Sequence, residues 1–398
     1  MKKLNYFLKN RFNGALYLFA LFPLIPNNIK GLLVAIIFFS SINSKLTKRN
    51  FKSFVLIGSL FFMYSVSILY SEDYHFGYKK VETLFSCLLI PASFFLFENY
   101  EAKNFNQKLF SQIFINSTFS FIIILVINYL ESDLGYYSNW FANKFRIVSE
   151  KIPLIGQSST YAALYAMISI LLNYQLVTNH NLKKPTLVFY TIILILQSSF
   201  LFLIQNRTII IFFFLFFIYT VFRQKFSFKM KWLFLTTILL GFLILLTSNR
   251  RMNDLIKFEN YFTENGHKNF STNIRIQTLN CASDLASQAL IFGHGVGDVQ
   301  RLLDNCYTKI GINQSINSHN QYIDVLLKIG ILGLFIFLFT IYHLLRRIIS
   351  SGNEVLIWIT IMFLLLFQTE NLLSRQTGVM LFYFFISLAI KFEKRKHY

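Results

Sequence analysis

The sequence predicts an all-α, polytopic membrane protein with about twelve transmembrane helices, because apolar runs of about 17–20 residues recur along it, long enough to cross a hydrocarbon core of roughly 30 Å. Composition points the same way. Of 398 residues, 55% are hydrophobic and only 14% charged, whereas ordinary globular chains carry about 25% charged residues. The runs are also continuously apolar, which argues against a β-barrel, whose strands alternate polar and apolar positions over about 10 residues.

In chain order the runs centre on residues 12–25, 29–44, 53–70, 80–97, 109–130, 158–177, 186–204, 207–222, 232–248, 322–345, 354–369 and 376–390. The first two are short and broken by Pro23 and Pro26, so they read as two spans or one re-entrant pair. The basic N-terminus MKKLNYFLKNR is followed by no small-residue cleavage site, so removal of a signal peptide is not expected. One sizeable polar segment, about Asn249 to Ser318, separates the ninth and tenth spans. The chain thus divides into 1–248 with nine spans, a loop at 249–320 containing short helices, and 321–398 with three spans and a tail.

Orientation follows from the basic residues. With the N-terminus in the cytoplasm, more than half of the 38 Lys and Arg fall in short inside tails and loops, as the positive-inside rule requires. That arrangement puts both termini in the cytoplasm and the long loop in the periplasm. The net charge of +20 is then a matter of topology, and no nucleic-acid partner is implied. Phosphate-cradling glycine loops are absent and the seven histidines are scattered, so neither an ATP-driven pump, a metal site nor any other cofactor is expected.

A few residues stand out against this background. Arg207 lies in SSFLFLIQNRTIIIFFF, a polar trio between apolar runs. A charge at that depth is costly unless it is paired, solvated or useful. It reads either as a turn residue snorkelling to the interface or as a fixed cation for an anionic lipid head group. Arg275 opens a segment in which Ile274, Leu279, Ala282, Leu285 and Ala286 recur at helical spacing. Gly293 would stop that helix, with Gly295 and Gly297 in a tight turn. No strand precedes this GxGxG, so it is no dinucleotide fingerprint.

His319 precedes an apolar helix that Ser318 or Asn320 would cap. It carries the side chain best suited to exchanging a proton near neutral pH. Glu370 and Arg375, in TENLLSRQTG, face the same side and would pair with each other or line the same cavity. Cys281 and Cys306 share the long loop and would be open to bridging in an oxidising compartment. Cys87 sits in an apolar run as a packed residue.

Together these residues resemble the O-antigen ligase and polymerase superfamily of bacterial envelope glycosyltransferases, and the ligase most of all. The resemblance is carried by NRT at Asn206–Thr208 opening a helix, by Arg275 ahead of the Gly293–Gly297 turn, and by HNQYIDVLLKIGILGL from His319. It implies glycosyl transfer on the periplasmic face of the inner membrane, inverting and without a metal ion. The donor would be a glycan on undecaprenyl pyrophosphate, and the acceptor a sugar hydroxyl of lipid A–core. Carried over by motif, Arg207 and Arg275 hold the donor pyrophosphate and His319 is the essential histidine near the acceptor. Asn320, Tyr322, Glu370 and Arg375 would support them.

The chain departs from the family pattern in placing Asn206 where a small residue such as Ser often precedes the first arginine. Its loop between Arg275 and His319 is compact, with little room for an acceptor domain. A polysaccharide polymerase and a protein O-oligosaccharyltransferase share the donor chemistry. A transporter of lipid-linked glycans is the alternative from another class, and it would carry charges near the midplane of its spans.

Overall fold

The computed structural model describes residues 11–42, 51–97, 105–132, 141–179, 182–224, 227–231, 236 and 271–391. The expected span at 232–248 lies, apart from one residue, outside this set, as does the start of the long loop up to 270. The described residues are helical, with no strand among them. The helices are α1 Arg11–Phe19, α2 Lys30–Ile42, α3 Phe51–Ile57, α4 Ser59–Ser67, α5 Tyr74–Thr83, α6 Ser86–Phe95, α7 Gln107–Glu131 and α8 Phe141–Lys151. They continue with α9 Ser159–Asn179, α10 Lys184–Ile204, α11 Arg207–Arg223, α12 Ser271–Gln288, α13 Val299–Lys309, α14 Gln321–Ser351, α15 Glu354–Phe367 and α16 Gln376–Lys391.

Four of these, α7, α9, α10 and α14, are long and apolar enough to cross a membrane. The α3–α4 pair, bent by 49° at its break, makes a fifth if counted as one span. Asn27–Ile42, α15 and α16 are shorter apolar helices. The expectation of twelve spans therefore meets fewer full-length crossings among the described residues. The run at 12–25 breaks at Pro23, and the run at 80–97 breaks between α5 and α6.

α16 is the central element. Every residue from Val379 to Ile390 is buried, which makes it hydrophobic all round, as a helix enclosed by others must be. Phe384 gathers the surrounding helices, stacking on Phe19 at 3.8 Å and Phe110 at 5.7 Å and meeting Phe94 edge-on at 6.1 Å. Such ring pairs contribute about 0.5–1.5 kcal/mol beyond burial. Part of the phenylalanine richness thus serves helix–helix packing.

α14 fixes the layout of the whole end of the bundle. Its 31 residues would reach about 46 Å if straight, against about 21 Å for the 14 residues of α15. Yet the start of α14 meets the end of α15, and the end of α14 meets its start. Asn320 Nδ2 donates to the Gln368 carbonyl at 3.2 Å, and Gly352 runs directly into Asn353, the cap of α15. The helix must bend, and it does so at Gly330, whose φ of 67° and ψ of −170° are non-helical. The first nine residues of α14 therefore turn aside from the helix axis instead of extending it.

α12 and α13 form a small second core of Cys281, Ala282, Leu285, Val299, Leu303 and Tyr307, docked onto Leu327 of α14. A disulfide joins Cys281 to Cys306, with Cα atoms 5.9 Å apart. α12 ends at Gln288, ahead of the glycine turn.

Candidate active site

Three loops and two helix starts meet at the His319 end of the bundle. Asn320 caps α14, its Oδ1 accepting from the N–H groups of Tyr322 and Ile323 at 2.9 and 3.1 Å. Asn206 caps α11 in the same way, accepting from Ile209 N–H at 3.2 Å. Arg207 is consequently the first residue of its helix and His319 lies just before its own. Both positions are set by side-chain caps of the kind that satisfy the orphan N–H groups of a helix start.

The loop after α15 is stapled to both starts. Asn320 holds Gln368, Thr208 Oγ1 lies 2.9 Å from Thr369 Oγ1, and Asn371 Nδ2 donates to Ser318 Oγ at 3.0 Å. Gln321 Oε1 accepts from Leu373 N–H at 2.8 Å. Glu370 sits in the middle of these contacts, and its carboxylate is the hub of the site. Oε1 accepts from Arg275 Nη2 at 3.2 Å, and Oε2 lies 3.7 Å from His319 Nδ1. The second distance is longer than a hydrogen bond. Nδ1 is shut off from solvent without a hydrogen-bond partner, although the His319 side chain as a whole is 28% exposed.

A second guanidinium comes from α8. Arg146 Nε donates to Ser159 Oγ at 3.1 Å. Burial pulls its pKa below the usual arginine value, Glu150 and Glu370 raise it, and Arg275 lowers it. It stays cationic, as an arginine does, and it is within electrostatic reach of both Glu370 and Arg275. Sequence reading missed this residue, since a lone arginine in a short polar loop resembles a solvated charge.

Three non-glycine residues have positive φ among those described: Leu154, Gln205 and His319. Gln205 precedes Arg207 by two residues, and His319 carries the imidazole. Left-handed backbone at ordinary residues is a strained state that tends to collect at functional sites. For His319, its N–H donating to Asn317 Oδ1 at 3.1 Å offsets part of the cost.

The other expected residues are placed as follows. Glu370 turns to Arg275 and His319, not to Arg375. Tyr322 points away into the bundle, where its hydroxyl donates to the Leu364 carbonyl at 3.3 Å and its ring packs between Phe337 and Phe367. Asn320 acts as a cap and a staple. The charge pattern brings the guanidinium groups of Arg275 and Arg146 together with the carboxylates of Glu370 and Glu150, and a planar guanidinium matches phosphate oxygens two at a time.

Residues 192–338 match a family model described as O-antigen ligase. The matched stretch contains Arg207, Arg275 and His319, so the resemblance read from those motifs extends over a domain-sized segment. No curated protein matches the chain. With the apolar helices, the match supports a membrane protein of the ligase or polymerase type of glycosyltransferase, a family that works on lipid-linked glycans.

Proposed function

We propose that this chain, an O-antigen ligase relative over residues 192–338, transfers a glycan from undecaprenyl pyrophosphate to a sugar hydroxyl of lipid A–core. The observation that carries this reading is the meeting of Arg275 and His319 on the single carboxylate of Glu370. Arg207 starts the neighbouring helix, one residue from the Thr208–Thr369 contact.

Arg207 and Arg275 hold the donor pyrophosphate and neutralise it, which makes it a good leaving group and fills the electrostatic role a metal ion has elsewhere. Glu370 faces Nδ1 and keeps a proton there, leaving Nε2 as the acceptor nitrogen, much as a carboxylate orients the base of a catalytic triad. Nε2 takes the proton of the acceptor hydroxyl as its oxygen attacks the anomeric carbon. The bond from that carbon to the pyrophosphate oxygen breaks, and its electron pair leaves with undecaprenyl pyrophosphate. One displacement inverts the anomeric centre. The Cys281–Cys306 disulfide supports a periplasmic setting, since such bonds persist in oxidising compartments.

One observation favours a second reading. Arg146 brings a cation from a second polar loop into the cluster, and two arginine-bearing loops suit a polymerase that binds two carrier-linked glycans.

Complementation of a ligase-deficient strain separates the readings. Wild type and His319→Ala are compared at matched expression, scoring lipopolysaccharide ladders together with carrier-linked glycan. Loss of a general base costs about 10²–10⁴ in rate, so the variant should lose the ladder and accumulate long carrier-linked glycan. Accumulation of single repeat units would mean a polymerase. Activity equal to wild type would refute the role of His319.

A further inference from the structure

The turn joining α12 to α13 carries no charge from Ala289 to Gly293 and leaves three large apolar side chains uncovered. Leu290, Ile291 and Phe292 are 49%, 57% and 64% exposed. In a water-facing loop this is costly, because burying such a side chain stabilises by about 1.5–3 kcal/mol.

The turn is rigid. His294 N–H and Gly295 N–H donate to the carbonyls of Leu327 and Lys328 at 2.8 and 3.0 Å. Ile331 N–H donates to the Leu290 carbonyl at 2.8 Å. The backbones meet through two glycines. A Cβ on Gly330 would stand 2.1 Å from Ile291 O, and one on Gly293 would stand 2.6 Å from Ile329 N. On its other side the turn is fastened to the end of α4, with Tyr70 Oη donating to the Phe292 carbonyl at 2.7 Å and Ser67 Oγ accepting from Val296 N–H at 3.2 Å. The bend of α14 and the exposed tip are therefore one construction.

Its position identifies the partner. Beyond Gly330, α14 presents Ile331, Phe335 and Phe339 at 49%, 70% and 52% exposure. Their spacing of four puts them on one face, and α14 is a membrane-crossing helix by length and composition. In a membrane-crossing helix, such an exposed apolar face suits contact with acyl chains. The tip is continuous with its upper end, because Leu290 is bonded to Ile331. Leu69, 85% exposed in the short turn after α4, neighbours Tyr70, which bonds the tip.

We infer that the Leu290–Phe292 tip is a membrane anchor, seated in the acyl-chain region of the leaflet nearest His319. It ties the α12–α13 unit to the bilayer at the bend of α14, about 13 Å along that helix from Gln321. The anchor stands whether or not the transferase reading does.

Spin labelling of the full chain in phospholipid vesicles tests it. A nitroxide is placed on Phe292→Cys without reductant, which leaves the Cys281–Cys306 disulfide intact, and Cys87 is buried. Phe335→Cys is the lipid-facing control and exposed Lys151→Cys the water-facing one. The label at 292 should collide readily with oxygen and poorly with a water-soluble nickel chelate, as at 335. Ready collision with the nickel chelate, as at 151, would overturn the anchor. Shielding from both reagents would overturn it as well, since protein would then cover the tip. Ile291→Cys, read in the same way, guards against a local effect of losing Phe292.

Discussion

Two arginine–glutamate pairs flank α15, Arg223–Glu354 at its start and Arg275–Glu370 just past its end, and they behave differently. At the Arg223 end, Glu354 takes both the Arg223 guanidinium and the Tyr219 hydroxyl, so the carboxylate is fully engaged. A cavity of about 420 Å³ adjoins it, lined among others by Gln107, Gln175 and Asn353. At the His319 end, Glu370 divides its oxygens between Arg275 and an imidazole whose near nitrogen makes no hydrogen bond. Arg146 lies within electrostatic reach of it as well. What sets the His319 end apart is a buried imidazole nitrogen with unsatisfied hydrogen-bonding capacity.

The same substitution at both ends tests this contrast most sharply. Glu370→Gln keeps the shape but removes the charge; with Glu370 in the orienting role proposed above, transfer should fall by up to about 10⁴, the loss caused by the Asp→Asn change in a catalytic triad. The carrier-linked glycan that accumulates is the readout, and unchanged transfer would reduce Glu370 to a structural clamp. Arg275→Lys comes next. An ammonium cannot span two phosphate oxygens, so the rate should drop by about 10²–10³, measured at saturating donor. Retention of full activity would show that only charge matters there.

A third pair extends the comparison to the bundle interior. Lys328 Nζ lies 2.6 Å from Asp324 Oδ2, and both side chains are buried. Asp324→Asn strands the lysine, and removing one partner of a buried pair costs about 3–5 kcal/mol. The apparent unfolding temperature in detergent should fall clearly, and replacing both residues with apolar ones should restore it. The smallest effect is expected at the far end. Glu354→Gln should leave transfer unchanged and cost at most about 1 kcal/mol, the range of exposed ion pairs. A large loss of activity there would erase the distinction between the two ends.

Much of this was legible in the chain. α7, α9, α10 and α14 lie close to the predicted spans, and Asn320 was a predicted cap of α14. The Arg275 helix and its end before Gly293 were visible in local spacing. What escaped sequence reading is relational. The bend at Gly330 sits inside an unbroken apolar run, and it arises because Gly293 comes in from a different element. Lys30 belongs to the same class. It opens a predicted span, yet its ammonium is buried against Asn27 Oδ1 at 2.8 Å and Tyr165 Oη at 3.1 Å, over the ring of Phe22. No local pattern announces partners 135 residues away. The Asp324–Lys328 pair was readable, since its spacing is that of helical neighbours. Glu370 was named as support, but its place at the centre depends on three staples from separate segments.

The left-handed backbone at His319 sets stability against chemistry at a single position. With φ at 48°, this residue forgoes on the order of 1 kcal/mol that a glycine would not lose. Replacing the histidine with glycine should therefore give a protein that unfolds later and, with His319 as the proposed base, lacks transfer. A screen that rewards only expression or heat resistance would favour that glycine form, and one that rewards transfer would favour the histidine.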